Sequence, residues 1–298
     1  MLFSWWYYGA DRTVAHIADA LNARPDGADP VRVLIDSGAF SAWSLGSKTL
    51  TTNGYAAWLT NSALPAWGDR VVGALNLDVI YDAAASWANW VALRDAGVDT
   101  IPIVHCDDTP DLLDRYVDTG ADYVALSPGV KRNVAHKTGW SALLLRHLRD
   151  RHPHVRAHGL GVTAGSPLSR LPFWSIDSSS FGSVYRFAQA QFYDPARRGW
   201  VRVVSDGTAD PHRHGRLLRD VYGIDPSDAR AVNAANRGRL ARAVASGVQM
   251  WEADARARWP VTPPASLARH GNGPHHHWAD TAPVVIAEIL AEPDGRTT

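Results

Sequence analysis

Apolar positions along the chain fall into two alternating patterns. Short runs dense in Val, Ile, Leu and aromatic residues occupy 3–8, 32–36, 71–79, 100–105, 123–127, 155–161 and 173–177. Continuous apolar runs of this length suit strands covered on both faces. Between most of them, apolar residues recur at helical spacing in 15–21, 55–64, 84–96, 110–119 and 140–151. That spacing gives a helix one buried stripe. Strand and helix in succession predict an α/β fold with a parallel sheet layered by helices. Seven such strands at regular intervals favour a (β/α)8 barrel of the TIM type over two unrelated domains, with an open doubly wound sheet as the alternative. Residues 201–205 are the candidate eighth strand.

Beyond residue 205 the pattern changes. Residues 211–219 are basic and contain histidine, and 228–259 read as one long helix or two, started by Asp225-Pro-Ser-Asp and stopped by Pro260-Val-Thr-Pro-Pro. Residues 271–277 form a Gly/His loop, and 283–292 a last short helix. The expected organisation is a catalytic barrel over 1–205 and a helical extension packed on it over 206–298.

Composition narrows the class. With 46% hydrophobic and 20% charged residues, the chain has material for a large core and does not read as disordered. Thirty basic residues balance thirty acidic ones, which excludes a globally basic nucleic-acid binder and leaves only local patches. Cys106 is the single cysteine, so no disulfide and no Cys-based zinc site can form within the chain. The apolar start is too short for a signal peptide and lacks a basic flank, and no window approaches ~20 apolar residues. A cytoplasmic protein without a membrane span is expected.

Parallel α/β folds gather their chemistry at the C-terminal ends of the strands. There the sequence places Asp36-Ser37-Gly38, Asn76 and Asp78, His105, Ser127-Pro128-Gly129, Gly159 to Thr163, and Asp177-Ser178-Ser179-Ser180. Asp or Ser after a strand is also an ordinary helix cap. A cap explains Asp36 or Ser37 but not Gly38, and three carboxylates converging on one rim are costly unless bonded or used. Carboxylates on separate strands suit chemistry at an anomeric carbon, one as nucleophile and one as proton carrier. No G-x-x-x-x-G-K-[ST] or G-x-G-x-x-G phosphate loop is present. The glycines Gly159 and Gly161 read either as a tight turn or as close backbone approach to a flat ligand.

These motifs, in this order, resemble the tRNA-guanine transglycosylase superfamily over roughly residues 3–181, and within it the DNA-directed, DpdA-like branch of phages and bacteria. The resemblance implies that Asp36, in Asp-Ser-Gly-Ala-Phe, transfers protons and that Asp177, in Trp-Ser-Ile-Asp, is the nucleophile. It implies that Asp78, in Leu-Asn-Leu-Asp, and His105 read the base edge. Ser37, Gly38, Ser127, Gly129, Gly159 and Gly161 would line the substrate pocket. Ala39 and His105 stand where the tRNA enzymes carry Gly and Gln, and the family's Cys-rich zinc site is absent. The implied activity replaces guanine in DNA by a 7-deazaguanine of the preQ0 type through a covalent Asp-sugar intermediate, with no cofactor. A tRNA- or nucleoside-directed exchange enzyme, or a catalytically idle barrel that binds a nucleobase or nucleic acid, are the alternatives.

A nucleic-acid partner needs basic surface. Residues 131–156 hold seven Lys or Arg against Asp150 alone. Lys131, Arg132 and Lys137 follow the strand ending at Ser127 and are the candidate phosphate contacts; Arg230, Arg237, Arg239 and Arg242 make a second patch. The histidines at 212, 214 and 275–277 read as solvated loops rather than ligands. Trp5-Trp6-Tyr7-Tyr8 reads as a strand with alternating faces, and Cys106 as a bystander.

Overall fold

A computed structural model describes residues 2–22, 31–46, 50–106, 108–129, 132–163, 165–178, 189–204, 210–230, 236–258 and 285–287. The fold is mixed α/β with parallel sheets. Strands β1 (Leu2–Ser4), β2 (Val33–Asp36) and β3 (Val71–Ala74) pair in that order, and β4 (Ile103–His105), β5 (Tyr123–Ser127), β6 (Arg156–Gly159) and β7 (Ser175–Ser178) form a second parallel set. A parallel bridge between Leu75 and Ile101 joins the two sets, so the strands follow one another in chain order.

Helices fill the connections. They are α1 (Trp5–Tyr8), α2 (Asp11–Asn22), α3 (Ala39–Leu45), α4 (Thr52–Trp58), α5 (Leu64–Trp67), α6 (Ala83–Asp95), α7 (Pro110–Asp118) and α8 (Val134–Arg151). Their starts are written locally: Thr51, Asp82 and Asn133 cap α4, α6 and α8 through their side chains, and Pro110 opens α7.

Alternate residues on a strand enter different cores. In β2, Leu34 faces a cluster with Leu2, Val72, Leu75, Ile101, Ile103, Tyr123, Ala125 and Trp174, while Val33 and Ile35 face the helices α2 to α5. In β5, Tyr123 and Ala125 join that first cluster, and Val124 and Leu126 meet Leu113, Tyr116, Leu144 and Leu148 of α7 and α8. Both faces of the sheet are therefore apolar, which is why its strands read as unbroken hydrophobic runs.

Three expectations are corrected. Residues 5–8 are a helical turn, not a strand: Trp5 leaves β1 to stack on Tyr55, with centroids 5.2 Å apart, and Tyr8 turns back edge-on to Phe3 at 5.5 Å. The candidate eighth strand at 201–205 belongs to β9 (Gly199–Val204). It pairs antiparallel with β8 (Gln189–Asp194) as a separate hairpin, whose core is shared with Leu218, Ile224, Leu240 and Val244. That core links the hairpin to α9 (Pro226–Arg230) and α10 (Arg237–Arg258). The parallel neighbour of β7 is instead β10 (Val285–Ala287), within the segment expected to be helical; Ile286 pairs with Asp177. No described helix is long and apolar enough to cross a membrane.

Candidate active site

A cavity of about 820 Å³ opens at the C-terminal ends of the parallel strands. Successive strands supply its polar lining: Asp36 ends β2, Asp78 follows β3, His105 ends β4, Ser127 ends β5, Gly161 follows β6 and Asp177 lies in β7. Leu2 and Ile103 belong both to the lining and to the inner apolar cluster. The volume is of the order usual for small-molecule sites.

Asp177 is 7% exposed and has two unequal oxygens. Its Oδ1 accepts the Gly161 backbone N–H at 2.8 Å and lies 3.2 Å from His158 Nε2. His158 is fully buried, its Nδ1 is 2.6 Å from Ser175 Oγ, and Ser175 Oγ is 2.5 Å from the Tyr123 hydroxyl. One consistent arrangement satisfies every group: Tyr123 donates to Ser175, Ser175 to His158 Nδ1, and Nε2–H to the carboxylate. Burial, with Asp177 nearby, raises the Tyr123 phenol far above its usual range despite its bond to Ser175, so it remains a donor. This relay was not anticipated. Its only sequence signal was His158 one residue before the end of β6, facing the same way as a residue two positions along.

A second pair sits beside it. His105 Nε2 is 2.8 Å from Asp78 Oδ2, a contact that becomes an ion pair when the imidazole is protonated. Burial pulls the imidazole down, but Asp78, with Asp108 behind it, outweighs burial and raises it above the usual value. Asp108 Oδ2 also fixes the turn by accepting the His105 backbone N–H at 2.7 Å.

Several expected lining residues act otherwise. Asp36 lines the cavity and its Oδ2 accepts the Gly38 N–H at 3.0 Å, while Ser37 Oγ accepts the Ala39 N–H at 3.3 Å and is fully buried. Gly38 has φ of 80°, and a β-carbon there would collide with Trp6 and Ser4. Ser37 and Gly38 thus shape the entry to α3 rather than line the cavity. Gly159 is likewise a packing residue, since a β-carbon would come within 2.8 Å of Val162 Cγ2. Gly129, with φ of 73°, does line the cavity. So do Arg132 and Lys137; Lys131 lies outside the described residues. Cys106, read as a bystander, is buried and forms part of the wall.

Away from the cavity, Asp114 of α7 binds two histidines at the end of α8. Its Oδ1 is 2.6 Å from His147 Nε2 and 2.7 Å from His152 Nε2. These three are close enough to hold a metal ion, and sequence reading missed them because one lies a helix away from the others. His212 and His214 lie in a short helical turn, Pro211–His214, capped by Asp210, and the histidines at 275–277 lie outside the described residues. Of the second basic patch, Arg239 pairs with Asp228, and neither Arg239 nor Arg242 lines the cavity, while the side chains of Arg230 and Arg237 lie outside what is described.

No protein-family model matches this chain, and no curated protein matches it.

Proposed function

We propose that this protein is a barrel-type transglycosylase that exchanges guanine in DNA for a 7-deazaguanine. Support for a barrel comes from seven parallel strands in chain order, an eighth beside β7, and one inner apolar cluster fed by β1 to β5 and by Trp174 just before β7. Closure would bring β10 against β1.

The observation that carries the functional reading is the single cavity in which Asp177, held through one oxygen, meets Asp36 and Asp78. Oδ1 is occupied by Gly161 and His158, which leaves Oδ2, among the described residues, as the oxygen to react. It attacks C1′ of the target nucleotide as the C1′–N9 bond breaks, giving a glycosyl ester and releasing guanine. A proton passes through Asp36: it goes to the departing guanine and is recovered from N9 of the incoming base. That nitrogen then attacks C1′ and the ester bond breaks. The donors on Oδ1 favour departure of the carboxylate, because they bind its returning negative charge. Asp78 and His105 offer hydrogen-bonding groups to the base edge. The target base has to leave the helix stack to reach this depth. One glycosidic bond replaces a similar one, so no energy-carrying cofactor is required.

The test is incorporation of labelled guanine or a 7-deazaguanine into DNA, tRNA and free nucleosides, with Asp177→Asn as control. Exchange in DNA that vanishes in the variant supports the reading. Exchange only in tRNA or nucleosides moves the acceptor, and no exchange in any of them removes the enzyme assignment.

A further inference from the structure

Four exposed aromatic side chains gather at the mouth of the cavity. Phe40 and Trp43 lie three residues apart on α3, 47% and 43% exposed, with ring centroids 5.8 Å apart. Tyr81, 61% exposed, meets Trp43 edge-on at 5.7 Å from the turn before α6. Tyr7, 46% exposed, hydrogen-bonds Ser41 of α3. Such a patch costs solvation and is unusual without a ligand. Tyr81 adds backbone strain: its φ is 65°, a left-handed conformation that a tyrosine rarely adopts.

The placement is graded. Tyr7, Phe40 and Tyr81 belong to the cavity wall, whereas Trp43 does not. Trp43 therefore extends the aromatic surface outward from the cavity. On another sector of the same wall, after β5, stand Arg132 and Lys137. Flat apolar faces on one side and cations on the other complement an unpaired nucleic-acid strand, whose bases stack and whose phosphates carry charge.

We propose that Trp43, braced by Tyr81, is a stacking platform for the base adjacent to the one that enters the cavity, with the strand's backbone led past Arg132 and Lys137. This rests on the base-exchange reading and adds to it how the acceptor strand is held. It implies a single-stranded or locally opened substrate, since a base within an intact duplex cannot offer its face.

The experiment uses the full chain and two fluorescent single-stranded deoxyoligonucleotides, each with one guanine. One is intact; the other has abasic sites on both sides of the guanine. Anisotropy titration should give wild-type protein a preference of about 5- to 100-fold for the intact strand, the size of one stacked base. Trp43→Ala should lose that preference and Trp43→Phe keep most of it. Joint replacement of Arg132 and Lys137 by Ala should weaken both strands together. Equal wild-type affinity for the two strands overturns the proposal, as does an undiminished preference in Trp43→Ala. So does sedimentation showing that Trp43→Ala merely dissociates a dimer, which would make the patch a contact between copies. Discrimination between the strands without exchange would sink the chemistry and leave the platform standing. Exchange confined to free nucleosides, without strand binding, would do the reverse.

Discussion

At the scale of single residues, the decisive asymmetry is between the two oxygens of Asp177. Asp177→Asn keeps the side-chain volume but removes the negative charge, so exchange should cease while the fold persists; circular dichroism and the incorporation assay check the two halves. His158 acts through Asp177 and is a positioning residue. His158→Phe would remove one of the two hydrogen bonds at Ser175 Oγ, which keeps Tyr123, and one of the two at Asp177 Oδ1, which keeps Gly161, costing about 0.5–1.5 kcal/mol per lost bond. His158→Gln, which can still donate, should recover stability and part of kcat; a denaturant titration beside the rate measurement separates these. His105 makes a pH prediction. Its pKa is raised in the folded protein, so its pairing with Asp78 contributes fully below the ordinary imidazole value and is lost as pH rises through the raised one. Its nuclear magnetic resonance titration should lie above 6.5 in the wild type and fall below that in Asp78→Asn, where burial acts with little opposition. An unshifted titration in the variant would detach His105 from Asp78.

Among elements, legibility followed how much of the signal was local. β5 was readable at both ends, because Tyr123–Ser127 is apolar on both faces and bounded by Gly120-Ala-Asp122 and Pro128-Gly129. Both ends of α7 were close, thanks to Pro110 and the helical spacing, and so was the end of α8 at Arg151, but α8 starts six residues before the expected 140, at Val134. Trp5–Tyr8 misled because aromatic residues favour strands in general, whereas here the rings of Trp5 and Tyr8 are recruited by Tyr55, Trp58 and Phe3 from other segments. Val285–Ala287 carries too few residues to show a period, and only the open side of β7 decides its state. The cavity's carboxylates were legible because they lie at or just beyond the C-terminal ends of apolar strands; His158 and the Asp114 clamp were not, because each depends on which strands or helices become neighbours. That clamp predicts a pH effect of its own. Burial acts to raise the Asp114 carboxyl, but its bonds to His147 and His152 win and lower it. Its stabilising effect is present above the ordinary carboxylate pKa and is lost as pH falls through the lowered value. Thermal unfolding of Asp114→Asn should therefore differ from wild type near neutrality and converge with it in strong acid. A constant gap across that range would show that the clamp carries no pH-linked stability.

For the whole molecule, the sheet and the hairpin module are built around different cores, yet the chain returns to the sheet after leaving the module. β10 covers the outer edge of β7, in register with Asp177. Truncation after Arg258 should leave the module's core residues in place but expose that edge, lowering the melting temperature and promoting association through unpaired backbone. Light scattering and calorimetry would register both, and an unchanged melting temperature would deny β10 a stabilising role.

The same pairing has a consequence for synthesis. A ribosome completes β1 to β7, with every carboxylate of the cavity already in the nascent chain, well before residues 285–287 are made. At elongation rates of about 5–20 residues per second, the strand bearing Asp177 spends several seconds with an open flank. Newly made chains would then pass through a vulnerable window in which their strand edges can recruit one another. The interval ends only when the last strand emerges from the exit tunnel and closes over β7.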